Sequence, residues 1–139
     1  MNEIVEAARR WIGTPYHHQA SVRGVGCDCL GLVRGVWREV SGCDVGGDAN
    51  YSRDWAEASG IESMLDGAAQ HLARIEAASM SAGDVLVFRL RPLYVAKHAG
   101  IVASAATFIH AMEGAPACEV ALSPWWRKRI AGVFRFPAV

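Results

Sequence analysis

Three residues of this chain have the type and placing that nucleophilic catalysis needs: Cys29, His98 and His110. Cys29 opens a run in which Leu30, Val33, Val36, Trp37 and Val40 recur at helical spacing until Ser41-Gly42 ends it. A thiol in the first turn of a helix faces unpaired N–H groups and the positive end of the helix dipole, and both favour the thiolate. A thiolate so placed attacks carbonyl carbon. The competing reading is a small core residue, since free cysteine is among the most buried residue types.

His98 begins the segment His98-Ala99-Gly100-Ile101-Val102, and His110 lies in Phe108-Ile109-His110-Ala111. Both segments read as strands. If the strands are neighbours, the two imidazoles line one side of a sheet against the helix that bears Cys29. His98 would then hold the thiolate as an ion pair and protonate the leaving amine, while His110 orients His98. Taken singly, each histidine reads better as a buried polar group with a hydrogen-bond partner. A cysteine at a helix start ahead of them tips the reading toward catalysis.

The elements that must position these residues follow from periodicity. Ile4, Val5, Ala8, Trp11 and Ile12 share one helical face between Glu3 and Ile12, with Asn2 as a cap and Gly13-Thr14-Pro15 as the stop. Tyr16 to Gly26 is polar and glycine-punctuated, a loop leading to Cys29. Gly42 to Asp54 reads as a connection. Trp55 to Ala73 carries Trp55, Ile61, Met64, Leu65, Ala68 and Leu72 at helical spacing, broken near Gly60 into a short helix and a longer one.

After Ala78 the period changes. Asp84–Arg91, Ala96–Ala103, Thr107–Met112, Cys118–Leu122 and Ala131–Phe136 are short runs rich in Val, Ile and Phe, parted by turn residues. Helices first and strands second predict an α+β domain spanning residues 1–139, its N-terminal helices packed on a C-terminal antiparallel sheet of five or six strands. Pro124 supports a turn before the last strand. In Trp125-Trp126-Arg127-Lys128-Arg129 the tryptophans read as anchors of the sheet edge, with a partner-binding surface as the alternative.

Composition excludes several classes. Of the 139 residues 52% are hydrophobic and 20% charged, enough apolar surface for a core and too much for disorder. Fourteen basic residues balance fourteen acidic ones, so the chain as a whole offers no positive field for nucleic acid. The longest uncharged stretch, His98 to Met112, is shorter than the ~20 residues a membrane helix needs. Met1-Asn2-Glu3-Ile4-Val5-Glu6 is acidic where a secretory signal is basic, so export by that route is not expected. Cys27 and Cys29 are too close for an unstrained disulfide, and Cys43 and Cys118 read as buried or inert thiols. Cys27, Cys29, Cys43, His17 and His18 lack the paired spacings of a zinc site, so neither a metal nor another cofactor is expected.

Gly13-Thr14-Pro15-Tyr16, Asp28-Cys29-Leu30-Gly31-Leu32-Val33, Gly83-Asp84-Val85-Leu86-Val87-Phe88, His98-Ala99-Gly100-Ile101 and Phe108-Ile109-His110-Ala111 together resemble the ordered motifs of the NlpC-type papain-like cell-wall peptidases. The resemblance covers nearly the whole chain. It implies a papain-like fold with Cys29 as nucleophile, His98 as general base and His110 as the orienting residue. It also implies hydrolysis of an amide bond in the stem peptide of bacterial peptidoglycan, commonly that between γ-D-glutamyl and a diamino acid. Tyr16 and Asp28 match family positions lining the substrate cleft. The Cys29 N–H and the Tyr16 hydroxyl are candidate oxyanion donors, while a packed aromatic and a helix cap are the alternative readings of Tyr16 and Asp28.

Two departures fall beside the cleft: His17-His18-Gln19 stands where many members have Trp-Gly-Gly, and Leu30 where many have serine. The run His18-Gln19-Ala20-Ser21-Val22 with Gly26-Cys27-Asp28-Cys29-Leu30-Gly31 resembles the branch found in bacteriophage tails and gene transfer agents, which open the cell wall for DNA delivery. That branch implies tail-tip or hub proteins as partners, with no direct contact to nucleic acid or membrane. It implies a chain made in the cytoplasm and carried in a particle to the recipient's wall. Other readings on the same fold are a noncatalytic plug of the tail hub and an amidase or acyltransferase.

Overall fold

A computed structural model describes residues 2–44 and 63–138. The short helix expected from Trp55, with Ile61, lies outside the described residues. Helix α1 spans Glu3–Arg10, capped by Asn2, whose side chain accepts from the N–H groups of Ile4 and Val5. Its acidic first turn and basic last turn both suit the dipole. The helix stops two residues earlier than expected, with Trp11 as its C-cap.

The predicted loop after α1 contains a small hairpin, β1 (Ser21–Val22) paired with β2 (Gly26–Cys27). Alternation over two-residue strands is too short to be seen in sequence. Helix α2 spans Cys29–Ser41, starting and ending where periodicity placed it, and buries Leu30, Leu32, Val33, Val36 and Trp37. It crosses α1 where Trp11 lies against Gly35; a β-carbon on Gly35 would enter the indole ring.

Helix α3 (Ser63–His71) leads into β3 (Ala73–Ile75), which the sequence placed at the end of a helix and in a connection. Pairing decides this: Ala73, Arg74 and Ile75 bond to Arg135, Phe134 and Val133 at the sheet edge. The remaining elements are β4 (Val85–Phe88), β5 (His98–Val102), β6 (Thr107–His110), β7 (Cys118–Ala121), the one-turn helix α4 (Pro124–Arg127) and β8 (Ile130–Arg135). The large sheet has six strands in the order β3-β8-β4-β5-β6-β7, all antiparallel. The α+β architecture and the six strands agree with the sequence reading.

Strand alternation divides the sheet's side chains between two cores. Val85, Val87, Ala99, Ile101, Ile109 and Phe134 face α1 and α2. Leu86, Phe88, Val102, Phe108 and Val133 face the other way, where Leu122 and Trp126 close over them. Contact between α2 and β5 is what brings the start of the helix to the sheet.

Candidate active site

The two histidines meet. The register that sets Ile101 opposite Ile109 and Val102 opposite Phe108 carries Gly100 opposite His110, with His98 two residues further along the same face. His98 Nε2 and His110 Nδ1 are 2.8 Å apart, a hydrogen bond between two side chains that are each 5% exposed. Gly100 makes this possible, because a β-carbon there would press on the Ile109 carbonyl, Phe108 and the His110 β-carbon.

The face they occupy differs from the expected one. Residues 98, 100 and 102 alternate away from α2, so both imidazoles share the side of Phe88 and Phe108, not the side of Ala99 and Ile101 that packs on the helices. Trp126 covers them there, its ring centroid 5.7 Å from that of His98 and 5.2 Å from that of His110. Phe88 lies 5.7 Å from His98 and Phe108 4.8 Å from His110. An aromatic box thus holds the imidazole pair. Sequence reasoning took Trp126 for an edge anchor; the available signal was the shared parity of His98-x-Gly100 and Phe108-x-His110, which leaves one face needing a cover.

Cys29 reaches the same strand from the other side. It is the first residue of α2, and its Sγ lies 3.9 Å from the carbonyl oxygen of Lys97, the residue before His98. The N–H groups of Ala99, Leu30 and Cys29 itself are directed at the sulfur. No hydrogen bond joins Cys29 to His98 among the described residues, so the resting arrangement is a bonded histidine pair with the thiol set against the start of its strand.

The expected thiolate is not what this environment favours. Although Cys29 keeps partial contact with solvent, burial pushes its thiol up to about 12, and the neighbouring Asp28 carboxylate adds to the rise. The N–H groups at the helix start pull the other way and lose, because desolvation of an anion outweighs partial charges at a helix end. Burial likewise brings His98 down to about 3, helped by His110, and His110 down to about 4. Burial therefore favours the neutral thiol and neutral imidazoles over the ion pair expected from sequence.

Neutrality leaves one hydrogen on each ring. For His98 to act as a base through Nδ1, its Nε2 must carry the hydrogen and donate to His110 Nδ1, which leaves the second hydrogen on His110 Nε2. His98 Nδ1 is then the acceptor of the residue that follows Lys97, whose carbonyl meets the thiol. His98 as base and His110 as orienting residue is the division of labour expected from the sequence, and it requires this tautomer.

Residues 13–135 match the NlpC/P60 family. The chain belongs to that family. Over 134 residues it is 28% identical to the gamma-DL-glutamyl hydrolase of Bacillus subtilis (strain 168), a stretch covering 96% of this chain and 29% of that protein. The chain thus spans less than a third of that curated relative's length. The NlpC/p60 domain of the peptidoglycan hydrolase SagA is 22% identical with a TM-score of 0.69, covering 98% of this chain and 100% of the other. An NlpC/P60 family protein from Bacillus cereus gives a TM-score of 0.71 at 17% identity, covering 96% and 39%. These likenesses establish a shared papain-like fold.

The two residues expected in the cleft differ in this NlpC/P60 domain. Asp28 is engaged in backbone bonds: one carboxylate oxygen accepts from Gly31 N–H and the other from Gln19 N–H, each at 2.7 Å. It caps α2 and fastens the preceding loop, where Gln19 adopts the left-handed φ of 60°. Tyr16 is half-buried, bridged to Cys27 at the backbone. Burial, then the charge of Asp28, raise its pKa, so its hydroxyl stays protonated and able to donate.

The other cysteines do not compete with Cys29. Cys27 is fully buried and pushed up to about 11 by burial, with Asp28 contributing; Cys118 is half-buried on β7. Cys43 is exposed, contrary to the buried reading. Among the described residues, no three or more His, Cys, Asp or Glu side chains gather in a way that could hold a metal ion. Nor is any described helix long and apolar enough to cross a membrane.

Proposed function

We propose that the protein is a cysteine peptidase hydrolysing an amide bond in the stem peptides of bacterial peptidoglycan, at the linkage between a γ-D-glutamyl residue and a diamino acid. The observation that carries the reading is the 2.8 Å bond between His98 Nε2 and His110 Nδ1, which supports His98 as a base acting through Nδ1, on the strand whose start lies beside the Cys29 thiol. The name of the Bacillus subtilis relative, a gamma-DL-glutamyl hydrolase, favours the γ-glutamyl bond.

Catalysis then runs on this chain's own groups. His98 Nδ1 takes the Cys29 proton as Sγ attacks the scissile carbonyl, so charge appears only when substrate is present. The Cys29 N–H and the Tyr16 hydroxyl donate to the developing oxyanion. The imidazolium, held by His110, returns the proton to the departing amine as the C–N bond breaks and a thioester forms. Water, deprotonated by His98, attacks the thioester carbonyl and releases the acid, and the proton returns to Sγ.

Residues 1–139 act in this reading as one catalytic domain. Its setting is the tail of a phage or gene transfer agent, beside tail-tip or hub proteins, where it opens the recipient wall. The sequence from His18 to Val22 and from Gly26 to Gly31 supports that branch.

Incubation of the protein and of Cys29→Ala with defined muropeptides, followed by mass spectrometry, tests the chemistry. The wild type is expected to release the γ-D-glutamyl fragment and the variant to release none; equal products from both, or none from folded wild type, would overturn the reading. Purified particles test the setting: the chain is expected among tail components, and particles complete without it would exclude it.

A further inference from the structure

The zero net charge conceals a strong asymmetry. Residues 1–84 hold seven lysines and arginines against twelve acidic residues, whereas residues 85–139 hold seven against two. No acidic residue occurs between Val85 and Met112, a stretch containing Arg89, Arg91, Lys97 and both candidate catalytic histidines. The positive half of the chain is the half that carries both histidines.

Residues 89–97, joining β4 to β5, concentrate this charge. The connection is folded on itself: Arg89 Nε donates to the Tyr94 carbonyl at 2.8 Å and the Tyr94 N–H to the Arg91 carbonyl at 3.2 Å. Leu93 at its tip takes φ 64° with its side chain wholly exposed, an unfavourable conformation for a branched apolar residue that burial does not repay. Beneath the tip lies a cavity of about 290 Å³ lined by Leu90, Arg91, Tyr94, Val95 and Lys97.

Two cations converge on one ring in that cavity. The Arg91 guanidinium carbon is 5.6 Å and Lys97 Nζ 5.9 Å from the centre of Tyr94. The aromatic face holds both, yet two like charges on one small cavity repel, and an anion between them relieves the repulsion. Leu90 and Val95 supply an apolar wall for the carbons that bear such an anion. Lys97 ties the cavity to the reaction, since its own carbonyl is the 3.9 Å neighbour of Cys29 Sγ.

We infer that this cavity is a substrate subsite in which Arg91 and Lys97 hold a free carboxylate adjacent to the scissile amide. The inference rests on the peptidase reading and names, within it, the residues that recognise an acid group of the substrate. A γ-linked glutamyl residue leaves its α-carboxylate free a few bonds from the carbonyl that Cys29 attacks, and a diamino acid such as diaminopimelate carries a further carboxylate at the far end of its side chain, on the leaving side.

Steady-state hydrolysis of three stem peptides decides between sources: one with both carboxylates, one with the glutamyl α-carboxylate converted to carboxamide, and one with lysine in place of diaminopimelate. Wild-type protein is expected to favour the full acid over one of the two neutralised peptides by roughly tenfold in kcat/KM, the size of one charge-assisted contact. The peptide that loses identifies the carboxylate. In the double variant Arg91→Gln, Lys97→Gln the ratio falls to about twofold or less, through KM for the acid, whereas Lys97→Arg keeps most of it.

Undiminished discrimination by the double variant, or none by wild type, would overturn the subsite. If wild type cleaves no peptide, the peptidase reading fails separately, and binding of the same three peptides to Cys29→Ala still decides the subsite. Roughly tenfold tighter binding of the acid, abolished by the two Gln substitutions, sustains it; equal binding of all three removes it.

Discussion

Acidification should unfold this protein through its two buried histidines. His98 and His110 fall from 6.5 in the unfolded chain to about 3 and about 4 in the folded one. Below pH 6.5 the unfolded chain therefore binds protons that the folded chain refuses, and stability declines as pH falls. The contribution is complete above about pH 7.5 and drains through the window from 6.5 to 4. At pH 5 each histidine withdraws about 2 kcal/mol, together about 4 kcal/mol, out of a total of ~5–15 kcal/mol typical of a domain.

Urea unfolding followed by circular dichroism at pH 8, 7, 6 and 5 measures this directly. With a slope of ~2 kcal/mol per molar urea, the midpoint should fall by about 2 M between pH 8 and pH 5. His110→Asn leaves one buried histidine, so the pH dependence near pH 5 should drop from about two protons to about one. Glu119, held low by Arg9, loses its contribution only from about the ordinary carboxylate value downward, beneath the pH 8 to 5 range measured. A midpoint unchanged between pH 8 and 5, or His98 and His110 ring signals titrating near 6.5 in the folded protein, would refute the argument that burial keeps the pair neutral.

Two further outcomes follow from the same structure. Iodoacetamide should alkylate Cys29 slowly at pH 7, with a pH–rate inflection well above 9, and Asp28→Asn should move the inflection down because Asp28 is the second cause of the raised value; an inflection below 7 in wild type would restore the ion pair. Gly35→Ala should destabilise the fold by about 1–3 kcal/mol in urea, since its methyl meets the Trp11 ring, and a loss under 0.5 kcal/mol would show that the α1–α2 crossing relaxes freely.

Much of the site was legible in the sequence because local rules govern it. Cys29 could be set at a helix start from the spacing of Leu30, Val33, Val36 and Trp37, and α2 begins there. His98 and His110 could be set on short strands from the Val, Ile and Phe around them, and β5 begins with one while β6 ends with the other. The strand β3 was not legible, because three residues carry too little alternation and Ala73–Ile75 become a strand only by pairing with β8.

By itself, then, the sequence determined the order of helices and strands, the three candidate catalytic residues and the motifs that mark the family. Only the tertiary structure decided which face the histidines take, that Trp126 covers them, and that Asp28 spends both carboxylate oxygens on backbone N–H groups. It also reversed the electrostatics of Cys29. Helix position is a local property and argues for a thiolate, but desolvation depends on everything packed around the sulfur, and that sum exists only once α2 has docked against β5.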